Sequence, residues 1–484
     1  MVREERGADV LAVTGRPGEE TAERLAARLR DVGEAAGPDV SITVAWGMAA
    51  PQPGGITLNP RPGLDNLADR ETARQILRLS GVRTTRRLTP DLRGVRGYRI
   101  HVCDLEPLLV FKRDRRGKLS EVSRAGLPAA EKLFRAAVRA VYGLGLDFGA
   151  VHAAIPPRGS PVIHWVDPAP RLDGESLDAW ARALRGLAAR RLAAVQARRE
   201  GRRPAASSAL LLGADPEFML QDTRTRHMVA ASVFFPREGD VGCDDRVLRR
   251  SQGICYPLAE VRPRPEACPD ELLRGIRGAL NRALELAPYR NIKWLAGSMP
   301  FKGFPIGGHV HFGNMRPSTD LLRALDSYLA VPMMLVEKPD TARQRRRRYG
   351  FPGDFRLQRH GFEYRTLSSW LVSPAAARAV LALARIIALD HDLLSRRVFD
   401  SVEAQRCFSR GRKSYFRILF PELWADVLAL PACGPGVPEL EPLRRLISGE
   451  RRWREEADLR RQWKLPLPRD WWSPPDEQDA ADPA

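Results

Sequence analysis

Two imidazoles sit two residues apart in the glycine-bounded run Gly307-Gly308-His309-Val310-His311-Phe312-Gly313. Alternate residues of a strand share a face, so both rings project the same way, a geometry suited to binding a metal or a phosphate. The same two-residue pairing of polar groups recurs at Asp215 and Glu217, at Glu260 and Arg262, and at Glu363 and Arg365, each inside a short apolar segment. Carboxylates in apolar surroundings need a cation or a hydrogen-bond donor. Several carboxylates with one or two imidazoles form a ligand set for magnesium or manganese, and interleaved arginines grip phosphate or carboxylate in a bidentate fashion. The pattern predicts four strands laid side by side, lining one polar floor.

The elements that must position these residues fall into two parts. Residues 9–13 and 41–45 read as strands and 19–32 as an amphipathic helix, followed by a helix over 69–79, strands over 97–103 and 107–112, a helix over 127–143 and a strand pair over 148–155 and 161–166. This is α/β texture. A long Ala/Arg/Leu helix over 176–199 leads into Gly201-Arg202-Arg203-Pro204, which is rich in helix breakers. The domain division expected from this is 1–200, a linker at 201–209, a catalytic domain at 210–465 and a loosely ordered tail at 466–484. Helices are expected over 270–286 and 320–336, with largely helical chain beyond Thr366.

At 484 residues and 44% hydrophobic content the chain can bury more than one core. No apolar run is long and uninterrupted enough for a signal peptide or a membrane span, and the six cysteines form no CxxC pair, so small buried thiols in a cytoplasmic protein are expected. The net charge of +19 would ordinarily suggest a polyanion partner. Of the 78 basic residues, however, 70 are Arg and 8 Lys, in a chain also rich in Ala, Gly and Pro, which reads as a compositional bias, and nucleic acid is not expected as a partner. The cluster Arg343 with Arg345 to Arg348 is expected to be a solvated helix face.

Taken together, Asp215-Pro216-Glu217-Phe218, Glu260-Val261-Arg262-Pro263, the His-x-His run, Tyr349-Gly350 with Gly353 and Arg356, and Gly361-Phe362-Glu363-Tyr364-Arg365-Thr366 resemble the phage-type COOH-NH2 ligases, or type 2 amidoligases, of the glutamine synthetase and glutamate-cysteine ligase superfold. The resemblance spans roughly residues 210–374. It implies an α+β fold with an antiparallel sheet backed by helices on one face. It also implies a reaction in which ATP phosphorylates a carboxylate and an amine displaces the phosphate. By the same resemblance Asp215, Glu217, Glu260, His309 and Glu363 match metal ligands for Mg2+ or Mn2+, His311 faces the nucleotide phosphates, and Arg365 and Arg356 hold the transferring phosphoryl group. Partners would be small-molecule or peptide carboxylates and amines, and an oligomer is possible.

The first part is similar to something else. Residues Leu144-Gly145-Leu146-Asp147-Phe148-Gly149-Ala150-Val151 and Trp165-Val166-Asp167-Pro168-Ala169-Pro170 resemble the end of an ATP-grasp domain, with His152, Trp165 and Asp167 where that family carries its acidic and amide magnesium ligands. The short span from Thr85 to Gly97 leaves no room for the ATP-clamping subdomain. The resemblance implies a shortened, inactive ATP-grasp-like α/β domain, with an unrelated α/β domain as the alternative. For the whole chain two other readings stand beside a ligase: a divalent-metal-dependent hydrolase of amide or phosphate substrates, and a basic non-enzymatic binding protein.

Overall fold

The computed structural model describes residues 11–14, 20–36, 42–46, 56–91, 97–124, 127, 130–156, 159–200, 210–250, 253–434, 438–468 and 470–473. The expected linker at 201–209 lies outside them. Before residue 200, three short parallel strands, Leu11–Thr14, Ile42–Ala45 and Ile56–Leu58, stand beside a six-stranded sheet. Its order is Arg83–Thr84, Val162–Asp167, Phe148–Ala154, Gly97–Cys103, Glu106–Arg113, Leu119–Glu121, antiparallel except at the first pair. Ile100, Val110, Val151, Ala153 and Val166 face the Ala130–Gly143 helix and are buried, while the opposite face is polar towards one end. The helix Gly174–Arg199 contributes Trp180, which packs edge-on against Trp46 and Phe148.

Beyond residue 210 the paired-polar strands do not form one floor. They divide between two sheets that share the segment Leu211–Asp222. Leu211–Ala214 joins Val310–Gly313, Gly361–Tyr364 and Phe355–Gln358 in an antiparallel sheet of four. After the break at Asp215-Pro216, Glu217–Asp222 pairs with Leu258–Val261 and Ile292–Leu295 in a second sheet, which Val241–Cys243 extends. Proline cannot donate to a ladder, and this is where the chain changes sheets. In the first sheet period-2 alternation turns Val310, Phe312, Phe362 and Tyr364 into the core, where Phe312 stacks on Phe362. Gly361 takes a φ of +153°, and a Cβ there would meet Phe312 O at 1.9 Å, so glycine alone lets these strands close.

Three helices back the sheets: Pro269–Leu286, the run from Thr319 to Val336, and Pro374–Asp390. Ser318 and Ser373 cap the second and third by accepting from Leu321 N and Ala376 N. The second carries a π-bulge at Asp326–Ala330. Asp326 is buried and accepts hydrogen bonds from Tyr142 Oη at 2.8 Å and Tyr364 Oη at 2.7 Å. Burial pushes its carboxyl up to about 7. The native state therefore holds a proton that the unfolded chain sheds near pH 4. Stability from this group is fully present below that value and is lost as pH rises towards 7, by at most ~1.4 kcal/mol per pH unit. Asp326→Asn should remove this slope, measured as urea midpoints between pH 4.5 and 7.5; an unchanged slope would contradict the assignment.

Three expectations need correction. Arg345 and Arg346 are not solvated. Arg345 is fully buried and donates to the carbonyls of Ile306, Thr366 and Leu367 at 2.8, 2.8 and 2.5 Å, and Arg346 pairs with Glu337 inside the protein. Only Arg343, Arg347 and Arg348 of the cluster are exposed. Nor is the tail loose at its start, since Arg290 N donates to Asp470 O and Asn291 brackets Trp472 through both amide atoms. All six cysteines are free thiols, and Cys268 is exposed rather than buried.

Candidate active site

The His-x-His strand and its neighbours bring one polar face together. Cross-strand pairing sets His311 opposite both Gly213 and Glu363, and Glu363 opposite Arg356. Residues directly opposite in an antiparallel pair share a face. His309, immediately before the strand, places Nδ1 2.9 Å from Asp215 Oδ1 and 3.1 Å from Glu363 Oε1, while His311 Nε2 lies 3.0 Å from the same Asp215 oxygen. The close approach of His309 depends on glycine, because a Cβ at Gly307 would meet its Nε2 at 2.1 Å.

A second cluster sits on the adjoining sheet. Glu217 pairs with Glu260, which pairs with Gly242, so Asp244, two residues further along, projects from the same face. Ligand atoms of Asp215, His309 and Glu363 lie within 4.8 Å of one another, and so do those of Glu217, Asp244 and Glu260. Every metal-ligand candidate read from the sequence is thus in one of two neighbouring triads. Asp244 is the member that sequence reasoning missed.

The arginines close the floor. Arg356 Nε donates to Glu363 Oε2 at 2.6 Å, Arg365 Nε lies 3.1 Å from Glu363 Oε1, and Arg262 Nε donates to Glu260 at 2.5 Å. Arg365 Nε also donates to Tyr349 Oη at 3.1 Å, and that hydroxyl contacts His309 Nε2. In the turn that leads into the His-x-His run, Ile306, Phe301 and Phe304 pack on Met219 and Leu258.

Electrostatics mark the site as a place for cations. Burial pushes Glu217 up to about 8 and, with Asp215 adding, Glu260 up to about 7. Burial alone would lower His309, but Asp215 beside it carries the imidazole up to about 9; burial would raise Asp215, yet His309 holds it well below the usual carboxylate range. Glu363 Oε1 and His311 Nε2 are buried without an aligned hydrogen bond. Crowded buried carboxylates that favour the protonated form without a cation, set beside imidazoles, fit divalent cations bound through oxygen and imidazole.

Comparison with known proteins gives two kinds of result. Among solved structures the chain is similar to the ATP-grasp ligase PsnB complexed with a phosphomimetic variant of its minimal precursor, Mg and ADP (10% identity, 37% of this chain and 100% of that one, TM-score 0.28). It is also similar to the macrocyclase MdnC bound with the precursor peptide MdnA from Microcystis aeruginosa MRC (10%, 37% and 99%, TM-score 0.28) and to a D-alanine–D-alanine ligase from Bacillus anthracis complexed with ATP (12%, 38% and 96%, TM-score 0.27). No curated protein matches the chain. The model of the family described as phage phiEco32-like COOH.NH2 ligase-type 2 matches residues 212–465, over half of the chain. That stretch holds both triads and Arg262, Arg356 and Arg365, and the chain belongs to this COOH-NH2 ligase family.

Proposed function

We propose that this protein joins a carboxylate to an amine with ATP, through an acyl phosphate, on the floor built from the two acidic triads. The observation that carries this reading is the meeting of two carboxylate-rich triads on adjoining sheets, with three arginines paired to their carboxylates, inside the stretch that matches the ligase family. Asp215, His309 and Glu363 would hold one divalent cation, and Glu217, Asp244 and Glu260 a second, with Mg2+ or Mn2+ as the ions this oxygen-rich set suits. Such cations neutralise nucleotide phosphates and shield the carboxylate substrate from their charge.

The chain's own residues account for the remainder. Arg365 and Arg356 flank Glu363 and present guanidinium edges to the floor, where they would stabilise charge on a phosphoryl group in transfer. His311 is partly buried beside Asp215 and would face the nucleotide phosphates. The residues before 200 we read as a shortened ATP-grasp-like unit docked on the ligase domain, residues 210–465. The metal-hydrolase alternative leaves the converging arginines without a task.

Incubating the protein with ATP, Mg2+ and pooled amino acids and peptides should release ADP and phosphate only when carboxylate and amine are both present. Phosphate release that needs neither would sink the ligase reading. Tyr349 gives a narrower test. Its hydroxyl sits on His309 Nε2, leaving Nδ1 turned to Asp215 and Glu363, so it fixes which nitrogen serves the metal. Tyr349→Phe should weaken Mn2+ affinity roughly 10- to 100-fold by calorimetry without unfolding the protein; unchanged affinity would show that the contact positions nothing.

A further inference from the structure

The polar face of the six-stranded sheet, remote in sequence from the triads, carries a cluster of bases that the ligase reading does not use. Pairing puts Arg99 opposite both His152 and Phe111, His152 opposite Trp165, and Arg113 opposite Gly97, so all lie on the face opposite the Ala130–Gly143 helix. His164 joins them at the bulge between His152 and Ala153. Arg113 is only 8% exposed, and the partner of its guanidinium is another base, His152 Nδ1. Arg99 lies over the Phe111 ring at 5.1 Å, with Nε buried and unbonded. Among the described residues neither guanidinium has a carboxylate in ion-pair contact. The nearby acids are engaged elsewhere: Asp167 accepts from Ala169 N at 3.0 Å, and Asp173 is bound to Ser176.

A buried guanidinium whose only side-chain partner is an imidazole, as at Arg113, beside a half-buried one that Asp167 and Asp173 offset from a distance without ion-pair contact, as at Arg99, leaves donors that an anion would complete. We propose that Arg99, Arg113 and His152 form a binding site for a compact oxyanion, a phosphate or a carboxylate group, that needs no metal ion. Because Arg113 donates to Nδ1, the neutral His152 ring carries its proton on Nε2, which adds a third donor. Burial, followed by Arg113, holds that imidazole well below its ordinary pKa, in keeping with a neutral ring. A cleft of about 380 Å³ bordered by Gly97, Tyr98, Lys112, Arg113, Asp114 and Ile155 reaches the cluster at Arg113. Asp114 at its rim is turned to Lys118 N at 2.9 Å, and Lys112 is exposed there.

The test is calorimetric titration of the full chain, in EDTA at constant ionic strength, with inorganic phosphate and separately with acetate. Saturable binding of phosphate alone assigns a phosphoryl group; binding of acetate as well assigns a carboxylate. Affinity should fall at least about tenfold in Arg99→Met and Arg113→Met, as expected for lost charge-assisted hydrogen bonds, and be kept in Arg365→Met, which alters the ligase floor. Should the two methionine variants unfold, phenylglyoxal footprinting of the wild-type protein takes their place, with Arg99 and Arg113 protected by the bound anion. The proposal is overturned if neither anion binds, if binding survives in both variants, or if Arg365→Met abolishes it. The ligase reading is untouched by any of these results, because the experiment contains neither metal nor ATP.

Discussion

Replacing Glu217 by Gln is expected to abolish ATP-dependent ligation, by at least ~100-fold in kcat, while leaving the fold as stable as before or more so. The two halves of this result come from one fact. Glu217 is 5% exposed and faces Glu260 and Asp244, and burial raises its carboxyl so far that the group is close to neutral without a cation. A neutral amide of the same shape removes a desolvation cost from the folded protein. It can still accept from Gly307 N, as Glu217 does at 2.8 Å. What it cannot do is offer a full negative charge to a metal. Melting curves and steady-state ADP release, measured on the same preparation, check both halves. Loss of activity together with a large fall in stability would instead mark Glu217 as a structural residue.

The largest effect on stability is expected at Asp147→Asn. Asp147 is fully buried where the first 200 residues meet the remainder. Its Oδ1 accepts from Arg323 at 2.6 Å and from Arg191 at 3.0 Å, and Oδ2 accepts from Asn59 N at 2.9 Å. Arg191 bridges on to Asp320, which Arg397 also meets at 3.1 Å. Arg191, Asp147 and Asn59 come from one side of the junction, and Arg323, Arg397 and Asp320 from the other. Removing the central anion leaves Arg323 without an ion-pair partner and Asp320 as the carboxylate that Arg191 and Arg397 must share, which should cost ~3–5 kcal/mol. Urea unfolding measures it, and a change below ~1 kcal/mol would show that the cluster does not hold the two parts together. The apolar core crosses the same junction, with Leu144 and Leu146 in one cluster with Leu321 and Phe399.

How much of this was legible in the sequence varied with how local the signal was. His311 and Glu363 were readable because strand periodicity fixes their common face, and His309 and Arg365, each one residue outside its strand, still reach Glu363. Asp244 was not, because its place depends on the register that sets Gly242 against Glu260, a pairing between segments some eighteen residues apart that no local pattern encodes. Arg345 and Arg346 looked like solvated charges because a run of arginines ordinarily is one. The partners of Arg345 are backbone carbonyls, which leave no trace in a sequence. The single floor expected from four polar strands became two sheets through the break at Asp215-Pro216, a feature visible as a proline but not as a change of sheet. The docking cluster around Asp147 was hidden for the same reason as Asp244, since its members lie far apart in the chain.

The central claim is that the two triads hold metal ions that bind ATP. Calorimetric titration of ATP into the protein with Mg2+, then in EDTA, then into Glu217→Gln and His309→Ala with Mg2+, tests it most directly. The account predicts saturable binding that requires the metal and is lost in both variants. Binding that persists in EDTA and in both variants, or no binding at any Mg2+ or Mn2+ concentration, would contradict it.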